Sequence, residues 1–446
     1  MLASLPHRDQ YRAALGIPAD HTLIAISSTW SAGSLLGTHP TLIRRLLAEL
    51  PIDEYRVAAI VHPNAVAGHG AYQLRSWLAD CVRAGLQIVP PLEGWRATLI
   101  AADAVIGDHG AVTGYAAALG RPTLLAAFPD DDIAPGTAIS ALGRTAPRLD
   151  TTSPLRPQLE AALKNHCHDT FAEVAALTNA VPGESPERLR ATFYRLLRLD
   201  EPAHEPTLHP LPLDGLTPLP APRIPAVLVT ARTGQDHQWV RLQRFPAEQW
   251  PHFAPAAPGT RAHLLVHHRH PARRLRAAAD IVFALVSEAP ATDAARASLL
   301  RQILKAHPGA LLAAVAGQDD CLISDRDGTL VALRADIAGV ADAGGANGER
   351  GGPPASAEDA GPVDPLTYAS AALARHAAET SDSPPGSAEP AGSPLRSAGN
   401  ADGPLRSAGN ASSPLAAAAN GITLHIGARR VRLAARPVAR EADRPG

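Results

Sequence analysis

Aromatic side chains make up only 4% of this 446-residue chain, and cysteine occurs three times. Cys81, Cys167 and Cys321 are far apart and odd in number, which excludes a disulfide framework and a Cys-x-x-Cys zinc site. A reducing cytoplasm is the compartment this usage predicts. An excess of one charge is also missing. The 41 basic and 43 acidic residues leave a formal net charge of -2, which gives no global attraction to nucleic acid or to an anionic membrane. Lysine is confined to Lys164 and Lys305; with abundant Ala, Pro and Gly, this is the composition of a high-GC bacterial genome, of actinobacterial type. No apolar run is long enough to cross a bilayer, and the opening residues Met1 to Asp9 are too polar for a signal peptide. Neither Gly-x-x-x-x-Gly-Lys-[Ser/Thr] nor Gly-x-Ser-x-Gly occurs, so a phosphate-loop NTPase and a nucleophile-elbow hydrolase lack support.

What is present is 46% hydrophobic residues, enough for a real core, over a length that suits two or three domains. The most informative stretch runs from Ala102 to Pro122. It reads as a short apolar strand, the small polar turn Gly107-Asp108-His109-Gly110, and a helix of small residues from Ala111. Gly120-Arg121-Pro122 then leads into the strand at Thr123. A helix that starts at such a turn leaves backbone N–H groups without intrahelical acceptors, and its dipole favours an anion such as phosphate. Two earlier apolar strands end in polar clusters: Leu23 to Ile26 before Ser27-Ser28-Thr29-Trp30-Ser31, and Val57 to Val61 before His62-Pro63-Asn64. In an open parallel sheet, ligands sit at the carboxyl ends of the strands, so three strand ends are expected to converge on one crevice.

The order of elements predicts five segments. Residues 1–200 alternate apolar strands with helical patterns (Pro40 to Leu50, Ala71 to Ala84) and predict an α/β domain with a parallel sheet. Ser185 is expected to cap a helix that has Pro186 at its first position. Seven prolines between Pro202 and Pro222 mark 201–223 as a semi-rigid linker. Residues 224–338 read as a small α+β domain, with a helix from Asp293 to Ala306 capped by Thr292 and a hairpin turn at Asp325-Arg326-Asp327-Gly328. Residues 339–418 are rich in Gly, Ala, Ser and Pro, and Ser393 to Asn400 nearly repeats as Gly403 to Asn410. Such a segment is expected to be disordered, with an isolated helix at Tyr368 to Glu379. Residues 419–446 alternate like a hairpin with a tail, which would add an edge to the second domain.

Ser28-Thr29-Trp30, His62-Pro63, Asp108-His109-Gly110-Ala111 and Gly120-Arg121-Pro122, in that order, resemble the C-terminal half of a GT-B type glycosyltransferase. Within that group the chain looks most like the CDP-glycerol glycerophosphotransferases of teichoic-acid synthesis; the non-hydrolysing UDP-N-acetylglucosamine 2-epimerases are similar in layout. The resemblance runs from about Arg8 to Asp200. It implies a Rossmann-like sheet forming half of a GT-B fold, a nucleotide-activated sugar or polyol as ligand, and glycosyl or glycerophosphate transfer. Where the family has Tyr-Ser, this chain has His109-Gly110, so hydroxyl donors to a phosphate are lost; Thr113 and backbone N–H groups are the expected substitutes. The segment from Arg8 to Pro18 falls where the linker between two such halves would lie, so the half that would hold the acceptor is expected to be absent: either the start codon is placed too late or the chain is a genuine half-enzyme. The alternative is a non-catalytic, degenerate half-enzyme that acts as a binding or scaffolding protein, with a protein partner on its C-terminal region.

The candidate catalytic residue is His62, which either contacts a diphosphate or merely occupies the turn before Pro63. The candidate ligand-binding residues are Ser28, Thr29, Asp108, His109, Gly110, Ala111 and Thr113. Asp108 either orients a ligand or caps the following helix. Trp30 either stacks on a base or, more often for a lone Trp at a strand end, is packed; Asp130-Asp131-Asp132 either binds a metal or ribose hydroxyls or, more often, is a solvated loop. His263, His267, His268 and His270 form a cluster along the sequence, but no Cys or carboxylate is near and Arg269 and Arg273 repel a cation, so no metal is expected. His166-Cys167-His168 falls in a helical pattern whose neighbouring side chains diverge. No cofactor is called for.

Overall fold

A computed structural model describes residues 1–204, 207–213, 216, 224–252, 260–336, 363–382, 415 and 421–438. The chain divides into two units, the first built mainly from residues before the proline-rich stretch and the second from Ile224 onward.

The first unit is a parallel sheet of β1 (Thr22–Ser28), β2 (Tyr55–Val61), β3 (Gln87–Ile88), β4 (Ala104–Gly107) and β5 (Thr123–Leu125). Its order, β3-β2-β1-β4-β5, is that of a Rossmann-type half-sheet. The central strands are continuous apolar runs because both faces are covered. Ile24 and Ile26 of β1, with Val57, Ala59, Ala104 and Ile106, share one core with the helices Leu42–Glu49 and Leu155–Asn165. Leu23, Ala25, Ala58 and Val105 face the other way, against the helices Arg8–Ala14 and Trp95–Ala101. Arg8 and Arg12 both pair with Asp103 just ahead of β4, at 2.6 and 2.9 Å, which fastens the first of these helices to the sheet.

Two local expectations change. The helical pattern from Ala71 to Ala84 breaks at Leu78 into Ala71–Trp77 and Ala79–Arg83. Glu184, not Ser185, is the residue before the helix Ser185–Leu197, because the Ser185 hydroxyl donates to Asn179 Oδ1 (2.9 Å) instead of accepting from the first turn.

The second unit is not the small α+β domain expected for 224–338. It is a closed barrel of β6 (Ala226–Thr233), β7 (Trp239–Pro246), β8 (Arg261–His267), β9 (Ile281–Leu285), β10 (Leu312–Ala316), β11 (Asp320–Asp325), β12 (Leu330–Asp336), β13 (Ile422–Ile426) and β14 (Arg429–Pro437), in the order β10-β11-β12-β14-β13-β7-β6-β8-β9. The parallel pair β9–β10 closes it. The terminal hairpin does more than add an edge: β14 pairs with β12 and β13 with β7, so these strands complete the wall. The capped helix Asp293–Ala306 and the turn before Gly328, whose φ is +82°, are as expected.

One face of each strand points into the barrel, with Val227 and Val229, Leu265, Ile281 and Phe283, Leu312 and Ala314, Cys321 and Ile323 in one core. The alternate residues Leu264, Val266, Val282, Ala313 and Val315 pack outward with residues of the helix Asp293–Ala306. The inner core also contains Leu366, Tyr368, Ala369, Ala371, Ala372, Leu373 and Ala374 of the helix Leu366–Asp382. That helix packs against β6 through β13, which is possible only from inside a closed barrel. It is therefore not isolated. It is buried nearly all round, and alanine predominates because the lumen leaves little room. Asp364, ahead of it, accepts from Arg244 Nη1 of β7 (2.7 Å). The remaining low-complexity residues, 339–362 and 383–414, with both repeats, lie outside the described residues, as do parts of the linker and the tail.

His263 on β8 lies on the same strand face as the inward-pointing Leu265 and is buried, and burial pushes its imidazole down to about 4. An unfolded imidazole titrates at about 6.5. The unfolded chain therefore takes up a proton that the fold refuses, and stability is fully present above pH 6.5 and declines as the pH falls toward 4. The decline from this residue is about 3 kcal/mol. In urea titrations at pH 7 and pH 4.5, His263→Leu is expected to lose markedly less stability on acidification than the native chain; equal losses would contradict the assignment.

Candidate functional site

The register of the sheet places the three polar clusters on one edge. Ser28 is level with Val61, and Ile26 with Ile106, so Thr29, His62 and Asp108 follow the ends of three adjacent strands. Hydrogen bonds tie these ends together: the His62 N–H donates to the Ser28 carbonyl (3.0 Å), and the Thr29 N–H and hydroxyl donate to Asp108 Oδ2 (2.8 and 2.9 Å).

His62 precedes the helix Pro63–His69 and acts as its cap: its Nδ1 accepts from the Asn64 N–H at 3.1 Å. The alternative reading of a turn histidine before proline is therefore part of its role. The bond has a chemical consequence. With Nδ1 accepting, the neutral ring carries its proton on Nε2, which is then a fixed donor. His109, half-buried in the turn after β4, has an Nδ1 that is buried and meets no partner.

Asp108 and Thr113 face inward. The Asp108 side chain is fully buried, and beyond the two bonds from Thr29 it accepts from Leu35 N–H (2.8 Å) and Gly110 N–H (3.0 Å). Its carboxylate holds the loops after β1 and β4 in place, where a ligand contact was expected. Thr113 is also fully buried, with its hydroxyl against Gly107, where any Cβ would collide with it. Its hydroxyl is thus no substitute for the missing donors. Gly110 is required for a related reason: a Cβ there would come within 2.5 Å of Thr29 Cγ2. What the turn does offer outward is backbone. The first intrahelical bond of Ala111–Ala118 runs from Gly114 N–H to Gly110 O, so the N–H groups of Ala111, Val112 and Thr113 have no acceptor within the helix. Ser28 spends its hydroxyl on the loop, accepting from the Leu36 N–H at 3.1 Å.

Beside this edge lies a cavity of about 450 Å³, lined by Thr29, Trp30, Ser34, His69, Leu74 and Trp77 among others. Trp30 is 58% exposed rather than packed, and the His69 and Trp77 rings meet edge to face at 5.0 Å. His69 and Trp77 carry no motif in the sequence; only the fold brings them beside the end of β1. Arg44 also lines the cavity, held by Asp80 at 2.7 Å.

Elsewhere the fold separates what the sequence groups. Asp130–Asp132 is an exposed single turn whose Asp130 pairs with Arg148 (2.8 Å), as expected of a solvated loop. Cys167 is exposed and free, and all three cysteines are unbridged. The histidines of β8 do not form one cluster, because the strand stops at His267. His270 is buried and its Nδ1 accepts from the Ala272 N–H (3.1 Å). Among the described residues, no helix is long and apolar enough to cross a membrane.

No protein-family model matches the chain, and no curated protein matches it. Among solved structures it is similar to the wall teichoic acid polymerase TagF, with 17% identity over 43% of this chain and 47% of that one and a TM-score of 0.29. It is similar to a Listeria monocytogenes protein described as a UDP-N-acetylglucosamine 2-epimerase, with 16% identity over 42% of this chain and 49% of that one and a TM-score of 0.25. A third is the structure describing EarP-mediated arginine glycosylation of translation elongation factor EF-P, with 16% identity over 43% of this chain and 66% of that one and a TM-score of 0.25. The chain spans under half the length of the TagF and epimerase chains.

Proposed function

We propose that the parallel-sheet unit binds a nucleotide-activated sugar or polyol through its diphosphate, as a module of glycosyltransferase-like or glycerophosphotransferase-like chemistry. The observation that carries this reading is the union of the ends of β1, β2 and β4 on one edge by the bonds among Thr29, Asp108, Ser28 and His62. On that edge the Nε2–H of His62 and the N–H groups of Ala111 and Val112 supply donors for phosphate oxygens. His109 adds a ring with an unsatisfied nitrogen. The adjoining cavity, walled by Trp30 and Trp77, has the size and apolar lining that suit the rest of such a ligand. In transfer, His62 would neutralise charge developing on the leaving diphosphate by donating from Nε2.

One observation favours a second reading. Asp108 and Thr113 are turned inward, which leaves the edge without the acidic and hydroxyl side chains expected of it. Under that reading the unit binds the ligand without turning it over, and the chain serves as a binding or scaffolding protein with a protein partner on its C-terminal region.

A thermal-shift screen with CDP-glycerol, UDP- and GDP-sugars and free nucleotides tests the binding claim common to both readings. One ligand class is expected to stabilise the chain, by about 2.7 kcal/mol at a hundredfold excess over Kd, and His62→Asn, whose Oδ1 can keep the cap while the Nε2 donor is lost, is expected to cut this to about 1.4 kcal/mol or less. Stabilisation by none of them would overturn the proposal.

A further inference from the structure

We propose that His267, His268 and Glu288, in the barrel unit, form a three-ligand site for a first-row divalent transition-metal cation. The backbone assembles it. β8 and β9 are parallel neighbours with His267 level with Phe283, and the His268 N–H continues the ladder to the Phe283 carbonyl at 2.9 Å. The carboxyl end of β8 therefore delivers two histidines. The carboxyl end of β9 runs into the single turn Val286–Glu288, which delivers the carboxylate beside them.

Glu288 Oε2 lies 2.6 Å from His267 Nε2 and 3.8 Å from His268 Nε2, and one ligand atom from each of the three residues falls within 4.8 Å of the others. Among the described residues this is the one group of three or more His, Cys, Asp or Glu side chains with that spacing. The donor set, two imidazoles and a carboxylate, is one that zinc, cobalt, nickel and ferrous iron accept with coordination positions left open. A second observation points to a missing partner: His268 Nε2 is buried and makes no hydrogen bond. A bound cation would satisfy it.

Three features oppose the cation: the 2.6 Å hydrogen bond between His267 Nε2 and Glu288 Oε2 must open for both atoms to ligate one ion, and the other two are small. Arg269 is exposed, so its charge is screened by solvent and salt. Metal at His267 Nε2 places the ring proton on Nδ1, which forfeits the long 3.3 Å contact from the Arg269 N–H. The carboxylate comes from 20 residues downstream of His268, which is why the histidine cluster alone gave no such expectation.

The test is calorimetric titration of the full-length chain, free of any histidine tag, with Zn2+ alone, repeated with Co2+ to read its visible absorption. One equivalent is expected to bind. His268→Ala and Glu288→Gln are each expected to weaken the affinity by roughly 100-fold, at least what losing a supporting contact costs a metal site. Both variants should melt as the native chain does when metal is absent, since a partly exposed ion pair adds little to stability. No saturable binding by the native chain, or unchanged affinity in His268→Ala, would overturn the proposal; the second result would place the metal elsewhere, as at the exposed Cys167.

Discussion

Asp108→Ala is expected to destabilise the parallel-sheet unit by about 4 kcal/mol, an effect far above that of an ordinary surface substitution. The carboxylate accepts from three backbone N–H groups and one hydroxyl, and the side chain is completely buried. Its loss strands those donors in a place where each unsatisfied group costs about 1–3 kcal/mol. Asp108→Asn separates the effect of charge from that of shape. Its carbonyl can serve the three donors at the Oδ2 position, but its amide then faces the Gly110 N–H, donor to donor. About half the loss is expected. In scanning calorimetry the alanine variant should lower the transition of a unit this size by about 10 °C, and the asparagine variant by about 5 °C. An unchanged transition in both would show that the loops after β1 and β4 do not depend on this residue.

Ala372→Glu is expected to prevent the barrel from folding. Ala372 is fully buried on the helix Leu366–Asp382, in the same core as the inward faces of the strands. A glutamate there adds bulk to a filled lumen and brings an unpaired charge, whose burial costs at least several kcal/mol even after relaxation. That is comparable with the whole stability of a domain, about 5–15 kcal/mol. Ala372→Gly is the mild control, costing about 1 kcal/mol through helix propensity. Limited proteolysis with circular dichroism distinguishes the outcomes. Loss of the barrel in the glutamate variant alone is the expected result. Native melting in both variants would place the helix outside the lumen.

The parallel sheet was legible because β1, β2 and β4 are covered on both faces. Leu23 to Ile26 and Val57 to Val61 therefore read as unbroken apolar runs, and the polar clusters after them read as strand ends. The direction in which those clusters point was not legible. Asp108 and Thr113 have the right chemistry for a ligand, and only the approach of Thr29, Leu35 and Gly107 shows that they are turned inward. Trp30 misled in the opposite direction: it lines an open cavity because Trp77 and His69 stand across from it on a different strand's helices.

The barrel was hidden by distance along the chain. β12 meets β14 through the pairing of Asp336 with Arg432, across low-complexity sequence that carries no strand signal. The helix Leu366–Asp382 lies inside that same stretch; its helical pattern is legible over Tyr368 to Glu379, but its place in the lumen is not. Local pattern reveals the helix at Tyr368 to Glu379 and the terminal hairpin but not what they pack against, because the pairing signal lies in neither segment alone.

The claim that the carboxyl edge of β1, β2 and β4 holds a phosphorylated ligand is tested most directly by removing its donors one at a time. Ala111 is the first residue of its helix and Gly110 before it is extended, with φ -75° and ψ 154°. Proline fits that position, and the backbone that precedes it, without strain; it deletes one N–H and nothing else. Calorimetric titration of the native chain, Ala111→Pro and His62→Asn, which keeps an acceptor at the Nδ1 position and removes the Nε2 donor, with CDP-glycerol and UDP-sugars is therefore the decisive measurement. The account predicts one site per native chain, at least about tenfold weaker binding in each variant, and native melting temperatures in both, a tenfold loss being what one charge-assisted hydrogen bond supplies. Full affinity in both variants, or no heat of binding from the native chain, would contradict it.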